Sequence, residues 1–295
     1  MAGTIAMNRT SFNEFLAFLG LTFLVLIFNN PLFAADNFID YPSPSNNVSF
    51  EQVQTLEFRQ ADQQIQYGSE ALQYGDIYLP TAGDDPYPLL IFIHGGCWLN
   101  SFDMSHTYAF LTALAQSGYA VWSLEYRRSG DTGGGWPGTF EDIKAGIAFA
   151  SLLRADSVDT SSYILIGHSA GGHLALLAGG ETPEAKGVIG IAPITNIISY
   201  SQGTNSCQSV TEQFMGSAYS QNPLAYSQAN PAEKTPHRNT LILQGTLDAI
   251  VPAEQARLTG ARTELVEGVN HFDWIHPGSL AFDRLIISIE EMLDR

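Results

Sequence analysis

Ser169 stands inside Gly167-His168-Ser169-Ala170-Gly171, after the apolar run Ile164-Leu165-Ile166 and before a stretch rich in alanine and leucine. That order reads as a buried strand, a sharp turn and a helix. Such a turn exposes a serine hydroxyl at the carboxyl edge of a parallel sheet, close to the free amides of a helix N-terminus. The chemistry it suits is nucleophilic attack, with developing negative charge stabilised nearby. A serine hydroxyl is a weak nucleophile unaided, so a base, an orienting acid and an oxyanion hole must be found elsewhere in the chain.

Asp248 follows the apolar run Leu241-Ile242-Leu243, and His271 follows Leu265-Val266, each in the loop after a predicted strand. Their order, Ser169, Asp248, His271, is the one expected of this turn motif. Seven histidines compete for the role of base. His168 and His173 flank the turn itself, and His106 and His237 lie away from strand ends. His276 stands before Pro277, which suggests a helix entry, so His271 is the choice. For the oxyanion hole, Leu89-Leu90-Ile91-Phe92-Ile93 runs into His94-Gly95-Gly96-Cys97-Trp98. The amides of Gly96 and Cys97 there, with that of Ala170 after the nucleophile, are the expected donors. His94 is read as a brace of this loop. Trp98 and His168 are expected to contact substrate.

These pieces, in order, resemble an α/β-hydrolase of the esterase/lipase superfamily. Within it the chain is similar to small carboxylesterases and kynurenine-formamidase-like enzymes with a His-Gly-Gly-x-Trp loop. Glu125-Tyr126-Arg127-Arg128, Gly135 to Asp142, Gly245 to Pro252 and Asn270-His271-Phe272-Asp273 complete the resemblance, which spans residues 88–277. It implies a serine hydrolase acting on a small-molecule ester, with arylformamidase activity as the enzymatic alternative. A catalytically silent binding protein on the same fold is the reading from another class. Cys97 replaces a glycine common in the lipase loop, which narrows the pocket beside it.

The elements that must position these groups are legible as periodicity. Strand-like segments recur near 54–59, 76–79, 88–93, 119–125, 162–167, 187–192, 239–244 and 262–266, with helical patterns between the later ones. Phe140, Ile143, Ile147 and Leu153 mark one helix face; Phe282, Leu285, Ile286, Ile289 and Met292 mark another. This predicts an α/β fold: a mostly parallel eight-stranded sheet with helices on both faces. The catalytic loops then share the carboxyl edge. Residues 194–236 are too long for a plain connection and read as a small lid-like insertion, its aromatics either lining the site with Trp98 and Trp274 or, as each one singly suggests, packing the segment onto the body. Glu125, Arg127, Arg128 and Asp142 read as a buried ion-pair network beneath the site.

Of the 295 residues, 45% are hydrophobic and 15% charged, with a formal net charge of −17. One well-packed hydrolase domain over 51–295 is expected, and the acidic balance argues against nucleic-acid or anionic-lipid partners. No phosphate loop or Cys/His cluster at metal-ligand spacing appears, so no cofactor and no metal are expected. Residues 1–35 carry Arg9, an uncharged apolar run over 15–28 and Ala34-Ala35, the pattern of a signal peptide. Cleavage there would give a secreted or periplasmic protein without stable membrane association, an uncleaved anchor being the alternative. Residues 36–50, rich in Asn, Pro and Ser, then read as a flexible arm. Two cysteines, Cys97 and Cys207, leave a bridge across the site open, because spacing alone does not set their separation.

Overall fold

The computed structural model describes residues 38–45, 47–153 and 157–294. The signal-peptide expectation therefore lies outside the described residues. Among the described residues, no helix is long and apolar enough to cross a membrane.

Eight strands form one sheet: β1 (Gln63–Gln66), β2 (Tyr74–Tyr78), β3 (Tyr87–Ile93), β4 (Ala120–Leu124), β5 (Val158–His168), β6 (Gly187–Ile191), β7 (Thr240–Gly245) and β8 (Arg262–Val266). Their spatial order is β1-β2-β4-β3-β5-β6-β7-β8. The first three in that order pair antiparallel and all the rest parallel. The central strands are apolar throughout because both faces are covered. Along β3, Leu89, Ile91 and Ile93 enter one core cluster and Leu90 and Phe92 the other, as the two-residue pleat requires. The first cluster is covered by α3 (Gly138–Phe149) and α4 (Ala170–Gly179). The second is covered by α2 (Tyr108–Gln116) and α9 (Leu280–Leu293).

The outer strand differs from expectation. Residues near 54–59 are not a strand; Phe50–Gln54 forms a short helix, α1, and the edge strand lies at Gln63–Gln66. Ser49 and Gln52 form a capping box that starts this helix, with each side chain meeting the other's backbone amide. Val48 before the cap and Val53 after the first turn are both buried in the second cluster, a hydrophobic staple. The Gln-Gln-Ile-Gln edge strand has one apolar residue, so no alternation announced it; backbone pairing with β2 holds it.

The end of the arm expected over residues 36–50 makes specific contacts at the same place. The amide of Val48 donates to Asp273 Oδ1 at 2.8 Å, and Asn270 Nδ2 donates to the carbonyl of Val48 at 2.9 Å. Asn47 Nδ2 donates to Asp273 Oδ2 at 3.0 Å and to the Gly268 carbonyl at 2.8 Å. The arm's end is thus clasped to the loop that carries His271.

Candidate active site

The turn between β5 and α4 depends on two glycines. A Cβ on Gly167 would meet the Gly171 carbonyl oxygen at 2.2 Å, and one on Gly171 would meet the Ile93 carbonyl oxygen at 2.1 Å. Only hydrogen fits at either position, and the backbone closes tightly around Ser169. Ser169 has φ 58°, a left-handed conformation that a non-glycine residue holds only at a cost of about 1–3 kcal/mol. Its amide donates to Ile191 in β6 at 2.8 Å, and its carbonyl accepts the first helical bond of α4, from His173 at 3.0 Å. Both ends of the turn are therefore anchored, and the serine, 2% exposed, lines a cavity of about 260 Å³.

His271 is 4% exposed and lines the same cavity. Its Nδ1 lies 2.7 Å from Asp248 Oδ2. A carboxylate only accepts, so the proton sits on Nδ1 and Nε2 is left as the basic nitrogen. Asp248 is itself fixed: Oδ1 accepts from the amides of Ile250 at 2.9 Å and Val251 at 2.8 Å, and Oδ2 also accepts from Gln244 Nε2 at 3.2 Å. The His271 loop is braced by Asn270 Oδ1, which accepts from the amides of Phe272 and Asp273, each at 3.0 Å.

Gly96 and Cys97 line the cavity beside the serine. No hydrogen bond among the described residues takes up their amides, and Ala170 opens α4 with its amide outside the helical ladder. The loop is unusual in that Cys97 and Trp98 both have positive φ, at 53° and 58°. Such strain persists only where the surroundings over-determine it. Here Trp98 is wholly buried and stacks on Phe214 with centroids 4.7 Å apart, and Cys97 is bonded to Cys207. The disulfide, with its Cα atoms 5.1 Å apart, closes the question left by the sequence.

Trp98, expected to contact substrate, does not line the cavity. At 0% exposure it belongs to the core, because its left-handed backbone turns the indole inward onto the 194–236 segment. That segment comprises α5 (Ile197–Tyr200), α6 (Ser206–Ser209), α7 (Thr211–Met215) and α8 (Pro223–Gln228). Its aromatics Tyr200, Phe214 and Tyr226 are buried in packing, and Ser206 and Cys207 are the residues it lends to the cavity. Trp274 is likewise buried away from the cavity lining.

His168 does line the cavity, and its Nε2 donates to the backbone carbonyl of His271 at 3.0 Å. Burial, with His271 alongside, pushes its pKa well below the usual imidazole value. His94 is a brace: Nδ1 meets the Gly95 carbonyl at 2.7 Å and Nε2 meets Glu125 Oε1 at 3.2 Å. Burial alone would raise the Glu125 carboxyl, but His94 and Arg128 beside it hold it below its ordinary value. Arg128 Nη1 lies 3.1 Å from Glu125, and Arg127 Nη2 lies 2.6 Å from Asp142. The four charged residues thus form two ion pairs, Arg128 with Glu125 and Arg127 with Asp142. Among the described residues, no group of three or more His, Cys, Asp or Glu side chains is placed to hold a metal.

Four cavity residues had no place in the site as read from the sequence: Phe50, Phe102, Ile250 and Phe272. His106 joins them, although it was set aside as a base; its Nδ1 donates to the Asp103 carbonyl at 2.7 Å. For Phe50 a signal existed, the Ser49-x-x-Gln52 capping box. The others sit in loops whose meeting only the fold decides.

A protein-family model described as BD-FAE matches residues 75–262. The chain is similar to Esterase LipC of Mycobacterium tuberculosis, 28% identical over 217 residues, covering 65% of this chain and 52% of that protein. It is similar also to Esterase LipQ of the same organism, 28% identical over 195 residues, covering 59% of this chain and 45% of that protein. The chain thus spans about half the length of these curated relatives. Among solved structures, esterase B from Lactobacillus Rhamnosis superposes with TM-score 0.68 at 18% identity, covering 82% of this chain and 89% of that one. At that identity the likeness bears on fold alone.

Proposed function

The chain belongs to the BD-FAE family and has the α/β-hydrolase fold, and on that premise we propose that it is a serine hydrolase cleaving carboxylic esters of short acyl groups. The observation that carries this reading is the 2.7 Å contact of His271 Nδ1 with Asp248 Oδ2, in a cavity that His271 shares with the strained Ser169. Ser169 Oγ attacks the ester carbonyl while His271 Nε2 takes its proton; Asp248 holds the imidazole tautomer and offsets the imidazolium charge. The amides of Gly96, Cys97 and Ala170 receive the oxyanion, at about 3–4 kcal/mol per donor in comparable sites. His271 then returns the proton to the leaving alkoxide, and water, activated by the same imidazole, frees the acyl-enzyme. A cavity of about 260 Å³ lies just below the usual range of ligand sites, about 300–1,000 Å³, which suits short acyl groups.

The test is initial-rate kinetics on p-nitrophenyl acetate, butyrate and octanoate beside Ser169→Ala, with fluorophosphonate labelling of both proteins. Turnover and labelling that vanish together in Ser169→Ala are expected. Equal rates in both would overturn the assignment. Folded protein that labels yet turns over only N-formylkynurenine would replace the ester with a formamide.

The proposal includes export through residues 1–35. The Cys97–Cys207 pair supports it, since structural disulfides persist in oxidising compartments. The mass of the protein recovered outside the cytoplasm, matching loss of a segment ending near Ala34 or Ala35, is the check.

A further inference from the structure

The cavity wall contains a residue that lies well before the matched family region. Phe50 opens α1, and its ring sits against three others of the lining: Phe102 at 5.6 Å edge-on, His106 at 5.6 Å and Phe272 at 5.5 Å. The family match begins at residue 75. Two independent devices hold Phe50 there. The capping box and the Val48/Val53 staple set the direction in which α1 leaves its cap. The clasp of Asn47 and Val48 by Asn270 and Asp273 joins α1 to the loop of His271 on both sides of that residue. A half-buried ring that lines the cavity and is delivered by so much specific hydrogen bonding limits what the cavity can hold.

From this we propose that Phe50 is a specificity-determining residue of the site, the wall that restricts it to short acyl groups; the proposal rests on the serine-hydrolase reading. Replacing Phe50 by Ala removes the ring and opens the cavity toward Phe102 and Phe272. In apolar pockets, one methylene of fit is worth roughly 10–200-fold in selectivity, so loss of a whole ring shifts the chain-length profile by at least about tenfold.

The experiment compares the full chain, Phe50→Ala and Phe50→Leu on p-nitrophenyl acetate, butyrate and octanoate. In parallel, butyrate and octanoate binding is measured by calorimetry in the Ser169→Ala background, with and without Phe50→Ala. The expected result is a rise of about tenfold or more in the octanoate-to-acetate ratio of kcat/KM for Phe50→Ala. Phe50→Leu, which keeps apolar packing and so guards against a folding defect, falls between. The binding preference moves the same way. Unchanged ratios in both assays, or equal losses on all three esters, would overturn the proposal. A shift in binding without any turnover by the Ser169 proteins would uphold Phe50 as the wall and sink the hydrolase reading instead.

Discussion

His168 Nε2 lies 3.0 Å from the backbone carbonyl oxygen of His271, so the residue before the nucleophile holds the loop of the candidate base. A carbonyl only accepts, which places the imidazole proton of His168 on Nε2. Burial, with His271 alongside, lowers the pKa of the ring well below the usual imidazole value and so favours the neutral form that makes this bond. His168 is thus a positioning residue between the two halves of the site.

Replacing His168 by Ala leaves a buried carbonyl without its donor, at a cost of about 1–3 kcal/mol. If that cost falls on the placement of His271, kcat drops roughly 5- to 150-fold with KM little changed. His168→Gln, whose amide can donate to the same carbonyl, recovers part of the rate. Steady-state kinetics on p-nitrophenyl butyrate check this; an equal rise in KM for both variants would point to substrate contact instead.

Asp248→Asn keeps an oxygen for the amides of Ile250 and Val251 but no longer stabilises the tautomer with the proton on Nδ1 of His271. The expected fall in kcat is roughly 10³–10⁴-fold with the fold intact, as when an orienting acid is neutralised elsewhere. Circular dichroism and burst kinetics separate this from unfolding. A loss below tenfold would remove Asp248 from the triad.

The Cys97–Cys207 bridge closes a loop across 110 residues of sequence, between the oxyanion loop and α6. Disulfides contribute typically about 2–4 kcal/mol, with long loops such as this toward the upper end. Cys97→Ser with Cys207→Ser, or reduction of the native protein, should lower Tm by roughly 5–15 °C in a chain of this size. Because Cys97 lines the cavity and carries a left-handed φ, activity should fall below the new Tm as well. Calorimetry with and without reductant tests both; an unchanged Tm would show that the bridge constrains nothing.

His106 and His173 are both buried, and burial lowers each to a pKa of about 4. In the unfolded chain they titrate near 6.5. The unfolded state therefore binds more protons between those values, and stability rises with pH through that window. Stability from these two groups is complete above about pH 6.5 and is lost progressively as pH falls toward about 4. Urea midpoints at pH 7.5 and 5 should differ accordingly. His173→Gln, which can still donate to the Ala229 carbonyl, should flatten the slope. A slope unaffected by that change would assign the acid sensitivity to other groups.

How much was legible follows from the range of the forces involved. Apolar runs such as Leu89 to Ile93 and Ile164 to Ile166 are set by burial on both faces of a sheet, a pattern written in consecutive residues. Gly167 is required by the backbone of Gly171 within one turn, so much of the setting of Ser169 is local too. Asp248 and His271 follow strands whose ends share one edge, so chain order alone places them near each other.

What the chain order could not decide is which way a side chain turns and what meets it. Trp98 looked like a pocket residue by its place just after Gly96-Cys97, yet with its positive φ it packs in the core against Phe214. Phe50 looked like part of a loose arm, yet Asp273, far along the chain, fixes the backbone that carries it. The disulfide and the aromatic wall arise in the same way, from residues near 50, 97, 207 and 272 that only the closed sheet brings together. Strand periodicity and turn chemistry are local and could be read from residues in sequence. The walls of the cavity depend on long-range contacts, whose geometry exists only once the chain has folded.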